Sequence, residues 1–118
     1  MQPEPTVILI DDAEALDDAS GSLTRLLRAR VASVHVIAAG APDRLLTEYG
    51  HWTREVRRSR IGLALRPLLE RDGELWQVPF PRRVHVPFPA GRGILVTPDG
   101  VELVQCAHPP SIDVRASA

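Results

Sequence analysis

The amino-acid sequence predicts an α/β fold in which mostly parallel strands are flanked by helices and followed by a C-terminal β-hairpin. Three observations favour this class. A continuous apolar run at residues 6–10 has the composition of a buried strand. Two strand–helix–strand units follow one another, which is typical of parallel sheets with right-handed crossovers. Near the C-terminus, Asp99-Gly100 lies between two β-rich runs, the usual signal of a hairpin turn.

The first unit begins with the strand Thr-Val-Ile-Leu-Ile at residues 6–10. Because polar residues do not alternate with the apolar ones, we expect both faces of this strand to be covered. The strand ends in Asp11-Asp12. Residues 20–22 (Ser-Gly-Ser) provide a break and a cap before a short amphipathic helix at residues 23–30.

The second unit begins with a strand at residues 33–38. Pro42 fits the first turn of the following helix, where its missing N–H costs nothing. The glycine at position 50 marks a point where this helix can bend or break. Residues 61–65 form a third apolar strand, which we expect to extend the parallel sheet. The apolar residues of the helix are predicted to share one face: Leu45, Leu46, Tyr49, Trp52 and Val56.

From Pro67 onward the sequence is rich in proline and no longer follows the strand–helix pattern. Five prolines between Pro67 and Pro89 exclude long regular elements there. We therefore divide a single domain, residues 1–118, into four segments. These are an α/β core at 5–66, a Pro-rich connection at 67–92, a hairpin at 93–106 and a tail at 107–118.

The composition excludes several classes of protein. The 118 residues are 44% hydrophobic and 25% charged, as in an ordinary globular domain, and a net charge of -1 gives no bulk attraction to nucleic acid. The sequence has no apolar run of about 18 residues and no N-terminal signal segment, so we expect a cytoplasmic location without membrane insertion. All 14 basic residues are arginine. Any lysine ammonium needed at a phosphate must therefore come from elsewhere.

The acidic end of the first strand has the form of a Walker B motif. A parallel strand delivers its C-terminal residues to the crevice where ligands bind. Asp11 is predicted to hold Mg²⁺ through water, and Asp12 to orient the attacking water in phosphoryl transfer. The simpler interpretation is that these aspartates begin a turn or cap a helix. A receiver domain starts in the same way, but it requires a later strand-end aspartate and a lysine, and both are missing.

Four segments, taken in order, resemble the distal part of FtsK/SpoIIIE-type ATPase domains, especially the actinobacterial FtsK-like and type VII secretion EccC-like branches. Residues 7–12 (Val-Ile-Leu-Ile-Asp-Asp) resemble Walker B, and residues 36–40 resemble the end of the next core strand. Residues 58–66 resemble the arginine-led strand of the family. Residues 89–96 resemble its glycine-rich turn and last strand. Together the segments cover most of residues 5–106.

The resemblance implies a partial RecA-like P-loop NTPase fold, ATP and Mg²⁺ as cofactors, and a multimer that moves DNA or a secreted protein. The family's phosphate loop, Gly-x-x-x-x-Gly-Lys-Ser/Thr, precedes Walker B and is absent from this sequence. In addition, Ala38-Ala39-Gly40 offers no polar side chain to a γ-phosphate, and Asp12 stands where glutamate is frequent. We therefore expect the chain to be inactive alone and to require the rest of the ATPase domain or neighbouring subunits as partners. The parent protein can be attached to a membrane complex.

Several other residues admit two interpretations. Arg92 lies between two glycines and is a candidate nucleotide contact, because glycine permits close backbone approach. The cluster Arg57, Arg58 and Arg60 either reaches a phosphate of a neighbouring subunit or simply places positive charge at a helix C-terminus, which we favour. Leu75 and Trp76 are packing anchors or, less simply, part of a pocket for a secreted substrate.

Two alternative functions stay open. The chain is either a degenerate ATPase-like module that binds a partner protein or self-associates through an unpaired sheet edge, or an element that contacts DNA. The net charge disfavours the second.

Overall fold

The computed structural model of the chain describes residues 3–82 and 88–107. Residues 83–87 of the Pro-rich connection and residues 108–118 of the predicted tail lie outside the described residues. The strands are β1 (Thr6–Ile10), β2 (Val34–Ala38), β3 (Gly62–Leu65), β4 (Arg92–Thr97) and β5 (Gly100–Gln105). The α-helices are α1 (Ser22–Ala29), α2 (Pro42–Thr47) and α3 (Thr53–Arg57), and two short 3₁₀ helices span Ala13–Ala15 and Asp72–Trp76.

The first unit is the predicted strand–helix–strand crossover. Strand β1 pairs with β2 in parallel, with Thr6 opposite Val34 and Ile10 opposite Ala38. Helix α1 begins where the Asp18 carboxylate accepts hydrogen bonds from the backbone N–H groups of Leu23 (3.0 Å) and Thr24 (2.9 Å). The Thr24 hydroxyl also donates to this carboxylate, at 2.7 Å. These bonds, led by the one from the Thr24 N–H, lower the pKa of Asp18 from its ordinary value.

One face of the β1–β2 sheet is not covered. Val7, Leu9 and Ile37 share this face and are 55%, 73% and 59% exposed. The opposite face is half-buried, and α3 packs on β2 there while also contacting α1. The expectation that β1 is covered on both faces is therefore wrong for the described residues, because only one layer of helices is present. Parallel sheets normally have both faces buried.

The helix predicted after β2 breaks at Gly50, which adopts a φ of 75°. Helix α2 ends at Thr47, and α3 begins only at Thr53. The expectation that Tyr49 shares the apolar face is wrong, because Tyr49 falls in the break and is 95% exposed. Trp52 is buried, and its Nε1–H donates to the Leu16 carbonyl at 2.8 Å. This bond fixes α3 against the segment that follows β1.

The third strand does not extend the parallel sheet. Strand β3 pairs antiparallel with β4, and β4 pairs antiparallel with β5, giving a second sheet of order β3-β4-β5. The predicted hairpin is present, with Thr97 opposite Gly100 across the turn. The core lies on one face of this sheet. Its buried members are Ala64, Phe80, Ile94 and Val96, and Leu69, Trp76, Val78 and Phe88 pack against them.

The second 3₁₀ helix lies within the Pro-rich connection. The buried Asp72 carboxylate accepts the Leu68 backbone N–H at 2.8 Å and pairs with Arg71 at 3.2 Å. The helix brings Trp76 onto the three-stranded sheet, where the indole ring lies directly over Gly62. The neighbouring Leu75 is buried. A glycine is required at position 62 because a β-carbon would overlap the indole.

Candidate functional site

The carboxyl ends of β1 and β2 are tied together by two backbone hydrogen bonds. The Ala39 N–H donates to the Ile10 carbonyl at 2.9 Å, and the Ala13 N–H donates to the Ala39 carbonyl at 2.8 Å. The chain leaving β1 therefore crosses the end of β2, and Ala13 is buried in the crossing. Asp11 and Asp12 are left at the exposed corner of this edge, where ligands bind in open α/β sheets.

The two aspartates form a compact acidic corner. The Asp12 N–H donates to Asp11 Oδ1 at 2.9 Å, and Asp12 adopts a left-handed backbone with φ 48° and ψ 47°. Aspartate tolerates this conformation better than most residues, although a non-glycine residue there is uncommon. In residues 3–82 and 88–107, no basic side chain pairs with either carboxylate. The corner is therefore open to a cation from outside.

The donor set fits Mg²⁺ held mainly through water. Mg²⁺ takes one or two carboxylates and keeps several waters. Asp11 Oδ2 accepts no hydrogen bond within the described part of the chain, so one oxygen is available to a water ligand. No group of three or more His, Cys, Asp or Glu side chains converges among the described residues. Further ligands would have to be waters or phosphate oxygens.

The end of β2 presents no polar side chain, as the sequence indicates. A carboxylate that sequence reasoning missed lies there instead. Glu14, in the first 3₁₀ helix, packs against Gly40 beside the Leu45 side chain. Its Oε2 atom is buried and has no hydrogen-bond partner. The spacing from Asp11 gave no signal of this, since only the crossing of the chain over β2 turns Glu14 inward.

A crevice of about 100 Å³ lies among the end of β2, the start of β3, α3 and the second 3₁₀ helix. Arg57 is the charged residue that lines the crevice, and its Nε atom is buried without a hydrogen-bond partner among the described residues. Burial lowers the pKa of Arg57, and the nearby charge of Arg54 lowers it further. The lining residues are otherwise apolar except for Thr53: Ala13, Ala38, Ala39, Leu45, Val56, Ile61, Gly62, Leu63, Leu75 and Trp76.

The remaining arginines occupy different places. Arg58 pairs with Glu55 at 3.4 Å, which Arg28 also contacts at 3.0 Å, and Arg60 is exposed. Arg92 begins β4 beside the end of β3, whereas the start of β3 lines the crevice. No hydrogen bond or ion pair between described residues joins Arg92 to Asp11. The structure thus brings Asp11 and Asp12 together but does not bring Arg92 to them.

A larger cavity of about 270 Å³ surrounds the second 3₁₀ helix, between Leu69 and Arg82. It contains neither aspartate of the acidic corner. Its wall is the Pro-rich connection rather than the ends of the parallel strands. We therefore place the candidate site at the acidic corner and the neighbouring crevice.

Two solved structures share this architecture. EssC from Geobacillus thermodenitrificans (ATPases 2 and 3) matches with a TM-score of 0.67 at 19% sequence identity, over 86% of this chain and 20% of that chain. The chain has the fold of part of an EssC ATPase domain. A structure described as the cytoplasmic domain of EssC matches with a TM-score of 0.63 at 18% identity, over 86% of this chain and 20% of that one. No family model and no curated protein matches the sequence.

The comparison confirms, at the level of the fold, the predicted partial P-loop ATPase architecture and the resemblance to this kind of ATPase. The chain spans about a fifth of the length of the EssC chains that it matches. None of the helices in the described ranges is long and apolar enough to cross a membrane.

Proposed function

We propose that the chain is the C-terminal portion of an FtsK/SpoIIIE-like translocase ATPase domain. It supplies the Walker B carboxylates, while the phosphate loop lies in another part of the domain, so the chain is inactive alone. One observation carries the proposal: two exposed carboxylates, Asp11 and Asp12, stand at the carboxyl end of a parallel strand, on a fold shared with EssC ATPases.

In this proposal the chain's own residues position water and charge. Asp11 holds the water ligands of the metal through its available Oδ2, while Oδ1 is kept in place by the Asp12 N–H. Asp12, fixed by its left-handed backbone, orients the attacking water and accepts its proton. Mg–ATP, when bound, supplies the phosphates and the metal charge. Arg92 is a proposed nucleotide contact that requires a neighbouring subunit or a movement of the second sheet.

The proposed partners are the remainder of the ATPase domain and neighbouring subunits of the same assembly, with a secreted protein or DNA as the substrate moved by the parent. The uncovered face of the β1–β2 sheet supports such an association, because exposed apolar patches on stable proteins mark interfaces. A cytoplasmic location is supported by the description of the second EssC structure as a cytoplasmic domain.

The test is complementation. We would search the neighbouring coding sequence for a polypeptide that carries the phosphate loop, co-express it with the chain, and measure ATP hydrolysis by the purified pair. We expect activity from the pair, none from either part alone, and loss of activity with Asp11→Ala. Asp17→Ala is the matched control, since Asp17 is exposed and lies outside the acidic corner. Activity of the chain alone, or full activity of the Asp11→Ala pair, would overturn the proposal.

A second candidate function is a degenerate ATPase-like module that binds a partner protein or itself. The lack of any polar side chain at Ala38-Ala39-Gly40, together with the exposed Val7 and Leu9, favours it. Light scattering at several concentrations discriminates between self-association and a monomer. A monomer at all concentrations counts against self-association.

A further inference from the structure

Helix α3 carries two arginines without an acidic partner among the described residues. The only carboxylate of the helix, Glu55, already pairs with Arg28 at 3.0 Å and with Arg58 at 3.4 Å. No ion pair in the described ranges reaches Arg54 or Arg57. These two arginines are three positions apart, so they are neighbours on the helix surface. Burial lowers the pKa of Arg57, and the charge of Arg54 lowers it further.

The Arg57 guanidinium is partly withdrawn from water where it lines the crevice. Its Nε atom is buried and has no hydrogen-bond partner in the part of the chain that the structure describes. A charged donor in this state destabilises the folded protein until an acceptor reaches it. Positive charge at a helix C-terminus acts without burial of this atom, so that interpretation leaves the burial unexplained. The position of Arg57 therefore favours a bound acceptor.

The size and the lining of the crevice select the kind of acceptor. Its volume of about 100 Å³ is below the roughly 300 Å³ at which pockets for drug-sized molecules begin, so it admits a group of side-chain size and excludes a whole nucleotide. Apart from Arg57, Thr53 and the Trp76 indole, the lining residues carry only aliphatic side chains or none. The Thr53 hydroxyl is already 2.8 Å from His51 Nδ1.

A carboxylate suits this lining better than a phosphate group does. A phosphate group presents three strong acceptor oxygens, most of which would lack a donor against aliphatic walls. A carboxylate presents two oxygens, which one edge of a guanidinium group binds together. A short apolar stem behind the carboxylate would cover the aliphatic wall.

We propose that the crevice is a carboxylate-binding site, in which the Arg57 guanidinium pairs with a carboxylate and the aliphatic wall covers its short stem. Two sources carry this chemistry: a glutamate or aspartate side chain of another polypeptide, and a free short-chain acid. Such a site operates without the acidic corner and without ATP. Its test is therefore separate from that of the proposed function.

The first experiment titrates the wild-type 118-residue chain with butyrate at neutral pH and constant ionic strength. The reporter is the Arg57 Nε–H signal in proton–nitrogen correlation spectra, assigned by its loss in Arg57→Lys. We expect butyrate to shift this signal with half-saturation on the order of 10 mM, the affinity of one charge-assisted hydrogen-bonded pair. Butyramide has the same stem without the charge and should leave the signal unchanged. Inorganic phosphate should bind more weakly than butyrate.

The second experiment distinguishes the two sources. The probe is a single glutamate with an acetylated N-terminus and an amidated C-terminus, which presents its carboxylate as a polypeptide does. A shift of the Arg57 signal at least as strong as that with butyrate would assign the site to an acidic side chain of a polypeptide. A shift with butyrate alone would assign it to a free acid. Both results uphold the carboxylate site.

The variants use the backbone N–H signals of Gly62 and Leu63, which line the crevice, as reporters. Arg57→Gln should abolish their response to butyrate, and Arg54→Gln should weaken binding about two- to threefold through loss of the nearby charge. Arg60→Gln is the matched control, since Arg60 is exposed and lies beyond α3, and it should respond as the wild type does.

The outcome of the wild-type titration does not depend on whether any variant folds. The carboxylate site is overturned if butyrate shifts the Arg57 Nε–H signal no more than it shifts the signal of Arg60. An equal response to butyramide overturns it as well, because the charge would then contribute nothing. Tighter binding of phosphate than of butyrate would show that the lining does not select a carboxylate, and would also overturn it.

Discussion

Truncation of Leu9 tests whether the apolar face of the β1–β2 sheet is uncovered in the free chain. Removing three carbons from a fully buried leucine forfeits about 2.4 kcal/mol at about 0.8 kcal/mol per methylene. Leu9 is 73% exposed, so about a quarter of that amount, roughly 0.6 kcal/mol, applies to Leu9→Ala. The matched control is Ile94→Ala in β4, where the side chain is 1% exposed. There the loss of transfer energy and the new cavity together cost about 2–5 kcal/mol.

The assay is urea unfolding followed by circular dichroism. With a slope of about 2 kcal/mol per molar urea, Leu9→Ala should lower the midpoint by about 0.3 M, and Ile94→Ala by about 1 M or more. The slope itself should not change. Equal shifts for the two variants would mean that Leu9 is buried in the free protein, and the reasoning from the uncovered face would then fail.

Three further predictions concern the described contacts. Asp18→Asn should lower the unfolding midpoint at pH 6. The folded-state pKa of Asp18 lies below its ordinary value of 3.8. The Asp18 carboxylate therefore stabilises the folded state fully above that pH, and this stabilisation is lost as the pH falls through the folded-state pKa. The difference in midpoint between wild type and Asp18→Asn should vanish in strong acid. Gly62→Ala should lower the free energy of unfolding by about 1–3 kcal/mol in thermal unfolding, because the new β-carbon overlaps the Trp76 ring. An unchanged stability would show that the ring moves freely. Trp52→Phe should lower the free energy of unfolding by about 1–2 kcal/mol, because the hydrogen bond to the Leu16 carbonyl is lost. An unchanged midpoint would show that this bond contributes nothing to stability.

The strands were predictable because their signals are local. Residues 6–10 gave the bounds of β1 correctly, and the Asp-Gly signal located the hairpin to within one residue of each strand. Hydrophobic periodicity and turn residues act over a few positions, so one sequence carries them. The acidic corner was predictable for the same reason: Asp11 and Asp12 directly follow a strand.

The pairing of β3 and the position of Glu14 depend on residues far away in the sequence. Strand β3 pairs with β4, which is separated from it by the whole Pro-rich connection. A run of apolar residues does not specify whether its partner is parallel or antiparallel. Glu14 is turned inward because the Ala13 N–H bonds to the Ala39 carbonyl, a contact that spans the whole β1–α1–β2 crossover. The break before α3 was signalled by Gly50, but the exposure of Tyr49 followed only once the helix stopped at Thr47.

Under the proposed function, two features of the chain together restrict what completes the ATPase domain. Val7, Leu9 and Ile37 form an uncovered apolar face, whereas Glu14 Oε2 and Arg57 Nε are buried without hydrogen-bond partners among the described residues. A nucleotide supplies polar groups but too little apolar surface for the face. A lipid or detergent tail covers the face but leaves the buried charged atoms without partners. A polypeptide supplies both, since its backbone pairs with buried polar atoms while its side chains bury apolar area. In the proposed function, the completing polypeptide docks before Asp11 and Asp12 face a closed nucleotide site. Variants at the uncovered face should therefore lose binding of that polypeptide and ATP hydrolysis in parallel, whereas Asp11→Ala should lose hydrolysis while binding is retained.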